Sequence, residues 1–214
     1  MRWYQKERMF PLNKFIRLAL LLLIFVLSAG LISYAWWIFQ IESGNRALRK
    51  GNTQTAAEIF AAAEIPFMAF PWLTRLLKDD YQRLVFDQVG TLYAQGHSDE
   101  AMEKLEQATG AAPFLVESGE YSFWTGNLLL RRAVQSKNPE ASMEALKSAL
   151  AEYQKGLAAE PEDWDLKYNY ELVKQILSQK DRDKKKEEEK VKSILDKMRP
   201  TTDTKQEIPP EKRG

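Results

Sequence analysis

Cysteine is absent from this sequence. Its absence excludes disulfides, a lipid-bearing cysteine, a thiol nucleophile and thiolate zinc sites. Histidine is reduced to one residue, His97, directly after Gly96 and two positions before Asp99. A catalytic histidine needs a nucleophile or an orienting carboxylate beside it. The plainer reading of His97 is a turn residue ahead of a helix. No G-x-S-x-G, P-loop or G-x-G-x-x-G pattern occurs. The cluster Glu160, Glu162, Asp163 and Asp165 has oxygen ligands but neither the spacing nor the glycine of a calcium loop. Acidic residues ahead of Trp164 fit a helix N-terminus instead. The expectation is a chain that is not an enzyme, with no catalytic residue, no metal site and no cofactor.

An excess of one charge is lacking as well. The net charge is +1, and residues 1–17 hold Arg2, Lys6, Arg8, Lys14 and Arg17 against Glu7. The leader is therefore +4 and the remainder −3. A mildly acidic body gives no reason to expect nucleic acid.

What the chain has is one long apolar run. Leu18–Phe39 contains no charged residue and nothing more polar than Ser and Tyr. As a helix it rises about 33 Å, enough to cross a hydrocarbon layer of about 30 Å. Arg17 marks one edge, and Tyr34, Trp36 and Trp37 mark the other, where amphipathic rings favour the headgroups. Five basic residues precede the run, and Arg46, Arg49 and Lys50 follow it. That bias places residues 1–17 in the cytoplasm and the bulk of the chain outside, which in a bacterium is the periplasmic face of the inner membrane. A cleaved signal peptide is the rival, since Ser33-Tyr34-Ala35 imitates a cleavage site. The run is longer than the usual apolar core of a signal, about 7–15 residues. Cleavage would also leave Trp36-Trp37 at a new N-terminus.

After the anchor a spacing recurs. Gly44 and Gly51 are followed by Ala56, Phe60 and Ala63; Gly96 by Ala101, Leu105, Ala108 and Pro113; and Ala149 by Tyr153, Gly156 and Pro161. A glycine lets one helix turn tightly into the next. Small residues let paired helices approach, a large side chain between them fills the groove, and proline stops the second helix. This resembles the tetratricopeptide repeat, a helix–turn–helix unit. The resemblance covers Glu42–Ala63, Tyr81–Pro113 and Tyr121–Pro161, with Trp164–Leu177 as a capping helix. It implies an all-α fold: a transmembrane helix at 18–39, a repeat domain at 42–177, a charged helix at 178–199 and a disordered tail at 200–214. In such domains an asparagine after the helix-A glycine can face the concave groove. Asn45 and Asn127, with Arg49 and Arg131, are thus candidates to hold an extended, acidic peptide. An exposed polar face of helix A is the plainer alternative for them.

Two stretches fall outside the repeat. Ile65–Leu73 packs six large apolar side chains into nine residues, and Pro66 and Pro71 argue against a continuous helix there. It packs under the first repeat, touches the membrane surface or meets a partner. Val191, Ile194, Leu195 and Met198 form one short helical face, either a frayed extension or a helix that orders on a partner.

One segment resembles something narrower. Tyr153, Leu157 and Glu160–Leu172, with Trp164, Asp165, Tyr168, Asn169 and Glu171, is similar to a run in small membrane-anchored proteins of operons built around a MoxR-type ATPase and von Willebrand A proteins. These include the K-type accessory proteins of methanol-oxidation clusters and the repeat proteins of aerotolerance operons. Lys167 stands where arginine is common. The resemblance implies a membrane-tethered scaffold for envelope proteins, among them von Willebrand A partners. The alternative is a structural or division-type membrane protein that self-associates through its charged C-terminal helix.

Overall fold

The computed structural model describes residues 10–197. The leader 1–9 and the tail 200–214 lie outside the described residues. So do the side chains of the Val191–Met198 stripe. Among the described residues the regular structure is helical throughout: α1 (Phe10–Arg49), α2 (Thr53–Ala69), α3 (Leu73–Leu76), α4 (Lys78–Gln95), α5 (Ser98–Ala111), a 3-10 turn (Pro113–Glu117), α6 (Gly119–Gln135), α7 (Pro139–Ala159) and α8 (Trp164–Lys197).

Short connections make three helical hairpins: α1 with α2, α4 with α5 and α6 with α7. They stack in order, α2 against α4 and α5 against α6, and α8 covers the end of α7. This is a tetratricopeptide-like array. Two turns depend on glycine. Gly51 and Gly96 have φ of +79° and +86°, the left-handed region that a side chain disfavours. The third turn works differently. The Asn138 side chain accepts from the N–H groups of Glu140 and Ala141, and Pro139 opens α7 where no N–H is needed. Ala56, Phe60, Ala63, Ala101, Leu105, Ala108, Ala149 and Tyr153 are all buried. Pro113 opens the 3-10 turn, and Pro161 sits exposed in the turn before α8.

The hairpins close through glycine-to-ring contacts. A Cβ on Gly44 would lie 2.6 Å from the Phe60 ring, and one on Gly126 would lie 2.5 Å from the Tyr153 ring. Both rings are fully buried. At the same offset before Leu105 stands Val89, also buried, so the less bulky Leu105 needs no glycine opposite. Outside the core contact between α2 and α4, a polar staple joins hairpins one and two. Lys104 Nζ donates to Glu64 at 2.6 and 2.7 Å, and Gln88 Nε2 donates to Glu64 Oε2 and to the Phe60 carbonyl.

Four expectations are corrected. First, the anchor and helix A of the first repeat are one helix. No proline lies between Leu18 and Arg49, so nothing interrupts the ladder. Second, α2 runs through Pro66 and stops at Ala69, just ahead of Pro71. Pro66 cannot donate to the Ala62 carbonyl, but both residues lie on the exposed side of α2, away from the core. Third, the capping helix and the charged helix are one element, because no glycine or proline occurs between Trp164 and Lys197. Fourth, Trp164 and Tyr168 do not pack on α7. Leu166 and Val173 are buried there instead, with Tyr170 and Leu177 beside them. Trp164 and Tyr168 fall on the opposite side of a 3.6-residue helix.

The glycine contacts give a paired prediction for the full chain in detergent. Gly126→Ala overpacks the Tyr153 site and should lower unfolding stability by about 1–3 kcal/mol. Gly110→Ala, in a helix with open space around it, should raise stability by about 0.4–1 kcal/mol. Urea unfolding read by circular dichroism decides. Equal effects would contradict the close approach.

Candidate functional site

The first helices of the hairpins, α1, α4 and α6, together with α8, place a row of polar side chains side by side. On α1, Arg49 bridges back to Glu42 at 2.8 Å. Asn45 Nδ2 donates across to Asp87 Oδ2 on α4 at 3.1 Å. Glu120 on α6 continues the row toward Glu160 and Asp163, the start of α8. The Glu160 carboxylate accepts from the Gly119 N–H at the head of α6 (3.0 Å). Asp163 Oδ1 accepts from the Leu166 N–H at the head of α8 (2.8 Å). Two members of the acidic cluster are thus helix-end acceptors.

The electrostatics follow from this crowding. Burial pushes the Asp87 carboxyl up, against the Asn45 hydrogen bond and the nearby Arg83, which favour its ionised form. Glu120 is raised from 4.5 to about 7, first by removal of surrounding water and then by the charges of Asp87 and Glu160. Yet Glu120 remains exposed at its surface. Beside it, Trp124 Nε1 is buried without a hydrogen-bond partner.

The four residues read from sequence as a peptide groove do not form a cationic one. Asn127 is buried: its Oδ1 accepts from Tyr153 Oη at 2.7 Å and from Asn169 Nδ2 at 3.0 Å. Burial raises the Tyr153 phenol, which stays protonated and donates. Arg131 lies 3.7 Å over the Tyr93 ring and donates to the Tyr93 carbonyl. Arg49 and Asn45 are engaged as described. Asn127 therefore ties α6 to α7 and α8, and Arg131 ties α6 to α4. Asn169 is the α8 end of this internal network. Glu171 does face outward and pairs with Lys174 at 3.2 Å. His97 opens α5 as an exposed residue 3.6 Å from Glu100.

Sequence reasoning missed Asp87, Glu120 and Trp124. Each lies on a helix that must be placed against two others before its neighbours are known. A second exposed feature is the Trp164–Tyr168 pair on α8, one turn apart and uncovered, with Lys167 Nζ 5.1 Å from the Trp164 ring.

Glu120 gives a signed prediction. The folded state holds its proton more tightly than the unfolded chain, so the contribution of Glu120 to stability is fully present below pH 4.5 and is lost as pH rises through about 7. Glu120→Gln should therefore melt above the parent chain at pH above 7. The gain should shrink toward zero below 4.5. A gain independent of pH would mean that Glu120 is not perturbed in this way.

No family model and no curated protein matches the chain. Among solved structures, the chain is similar to the TPR domain of Sgt2 from Aspergillus fumigatus. The TM-score is 0.48 and the identity 19%, over 68% of this chain and 82% of that one.

Proposed function

We propose that this protein is a membrane-tethered scaffold that presents a helical-repeat surface to other envelope proteins. One observation carries the reading. Every described side chain from Lys14 to Trp36 is exposed, and the same helix then becomes the first helix of the hairpin array. An apolar helix with no protein cover needs lipid around it, and α1 is long and apolar enough to span. The array is then held at a bilayer face. The basic leader favours the cytoplasm for the N-terminus and the periplasm for the array. The scaffold acts without chemistry of its own, by positioning partners. Its inner row, Glu42, Asp87 and Glu120, suits a segment with basic or amide donors better than an acidic one. The run around Trp164–Glu171 extends the reading to von Willebrand A partners of MoxR-type systems, through the exposed Trp164 and Tyr168.

A second reading has its own observation. Beyond Lys180, which donates to Ser142 Oγ on α7, α8 continues to Lys197. A helix projecting from a domain in this way suits self-association.

Photo-crosslinkers at Glu120 and Tyr168 of the intact protein in cells separate the two. Capture of a von Willebrand A protein is the expected outcome. Capture of this chain alone, lost when residues 178–197 are deleted, favours self-association. A reporter active only outside the cytoplasm, fused after Gly214, should be active; silence would reverse the topology.

A further inference from the structure

The corner between α2 and α4 has an odd surface. Ile65, Met68, Phe70, Trp72 and Leu76 are each more than half exposed. They surround one buried neighbour, Phe67, whose ring meets Trp37 edge-on at 5.7 Å and Tyr81 at 5.1 Å. Packing under the first repeat therefore explains Phe67 and Leu73 and leaves the other four large side chains of Ile65–Leu73 open.

The axial position of this corner is fixed by its contacts with α1. Helix α2 runs antiparallel to α1, back toward the apolar end. Trp37 Nε1 donates to the Ala63 carbonyl at 2.8 Å, which sets the register. Past Ala63, α2 descends about 9 Å further to Ala69. Pro66, Phe67 and Leu73 consequently line one cleft with Ser33, Tyr34 and Trp37. Ile32 borders the adjoining cleft with Pro66. The corner thus hangs beside residues 32–37 of α1, inside the apolar run rather than above it.

Tyr34 marks where the polar layer begins. Its hydroxyl donates to Asp80 Oδ2 at 2.8 Å, so a carboxylate stands at this height. Arg17, at the edge of the apolar run, lies about 26 Å below Tyr34, and its long side chain reaches outward, so Arg17 and Tyr34 bracket about one hydrocarbon thickness. The exposed tip then meets the boundary between acyl chains and headgroups, where Trp, Phe and Met side chains are favoured. Arg75 is an exposed cation of the same corner, whereas Lys78 Nζ sits 4.9 Å from the Phe114 ring.

From this register we infer that the α2–α3 corner is a second membrane contact: the tip at Met68, Phe70 and Trp72 enters the outer boundary of the bilayer that α1 crosses. It rests on the reading of α1 as a membrane span. Two contacts, one spanning and one interfacial, fix both the tilt of α1 and its rotation about its own axis. The inner row of the array is thereby held at one angle to the membrane.

Because the chain lacks cysteine, single labels are unambiguous. Leu22→Cys, Met68→Cys, Trp72→Cys and Val134→Cys carry a polarity-sensitive dye in the full chain, reconstituted in phosphatidylethanolamine–phosphatidylglycerol vesicles. Lipids with shallow or deep nitroxides act as quenchers. All four positions are exposed, so the fold should tolerate them. The expected result is deep quenching at Leu22, shallow quenching with a blue shift at Met68 and Trp72, and neither at Val134. Leu22 quenched while Met68 and Trp72 stay aqueous would overturn the inference and leave the anchor standing. That outcome would assign the corner to a protein partner. Leu22 unquenched would overturn the anchor reading and the inference with it.

Discussion

Everything above the apolar run depends on the absence of a break in α1. A helix is stiff over this length, since bending it requires a proline, a bulge or an inserted group in its ladder. Between Leu18 and Arg49 there is no proline, and Gly30 and Gly44 lie within continuous helix. The direction taken by the apolar half is therefore transmitted to the first hairpin. Gly44 is the joint that makes the transmission tight, because the Phe60 ring occupies the space of a side chain. Trp37 adds a second fixed point about two turns lower, through its bond to Ala63. A flexible linker would have separated the apolar run from the array; this chain joins them in one continuous helix.

The order of small and large residues made the hairpins legible in advance. Gly51 and Gly96 mark turns because an alternative residue would be strained at their positive φ. Ala56, Phe60 and Ala63 recur in kind as Ala101, Leu105 and Ala108, since each pair of helices faces the same packing problem. Gly126 was harder to see. Its partner Tyr153 stands further along the chain than Phe60 does from Gly44, because the contact lies further from the turn, deeper in both α6 and α7. Helix boundaries were harder still. Dividing α1 at the end of the apolar run, or α8 at the start of the charged run, follows a change of environment. The backbone registers no such change: its hydrogen bonds run on wherever no residue interrupts them.

The candidate surface was the least legible part. A polar residue on helix A can face outward, or inward to a partner two helices away, and spacing alone does not distinguish them. Asn127 turned inward because Tyr153 Oη, buried beside Gly126, needs an acceptor, and Asn169 on α8 needs one too. Arg131 was claimed by Tyr93 in the same way. Both losses come from one cause: hairpins of small size have little apolar area, so polar side chains are recruited to link them. What remains on the inner side is the complement of that recruitment, Asp87 and Glu120, carboxylates crowded together and poorly hydrated.

That residual surface has a consequence for partners. Two carboxylates that repel each other and whose proton affinity is raised by burial are improved by any donor that settles between them, an amide, a lysine or an arginine. The same donor gains little from an ordinary, well-hydrated surface carboxylate. Binding of such a segment would lower the proton affinity of Glu120 and so release a proton near pH 7. The crowding itself arises because α4, α6 and α8 are held together by the inward-facing residues Asn127, Arg131 and Asn169.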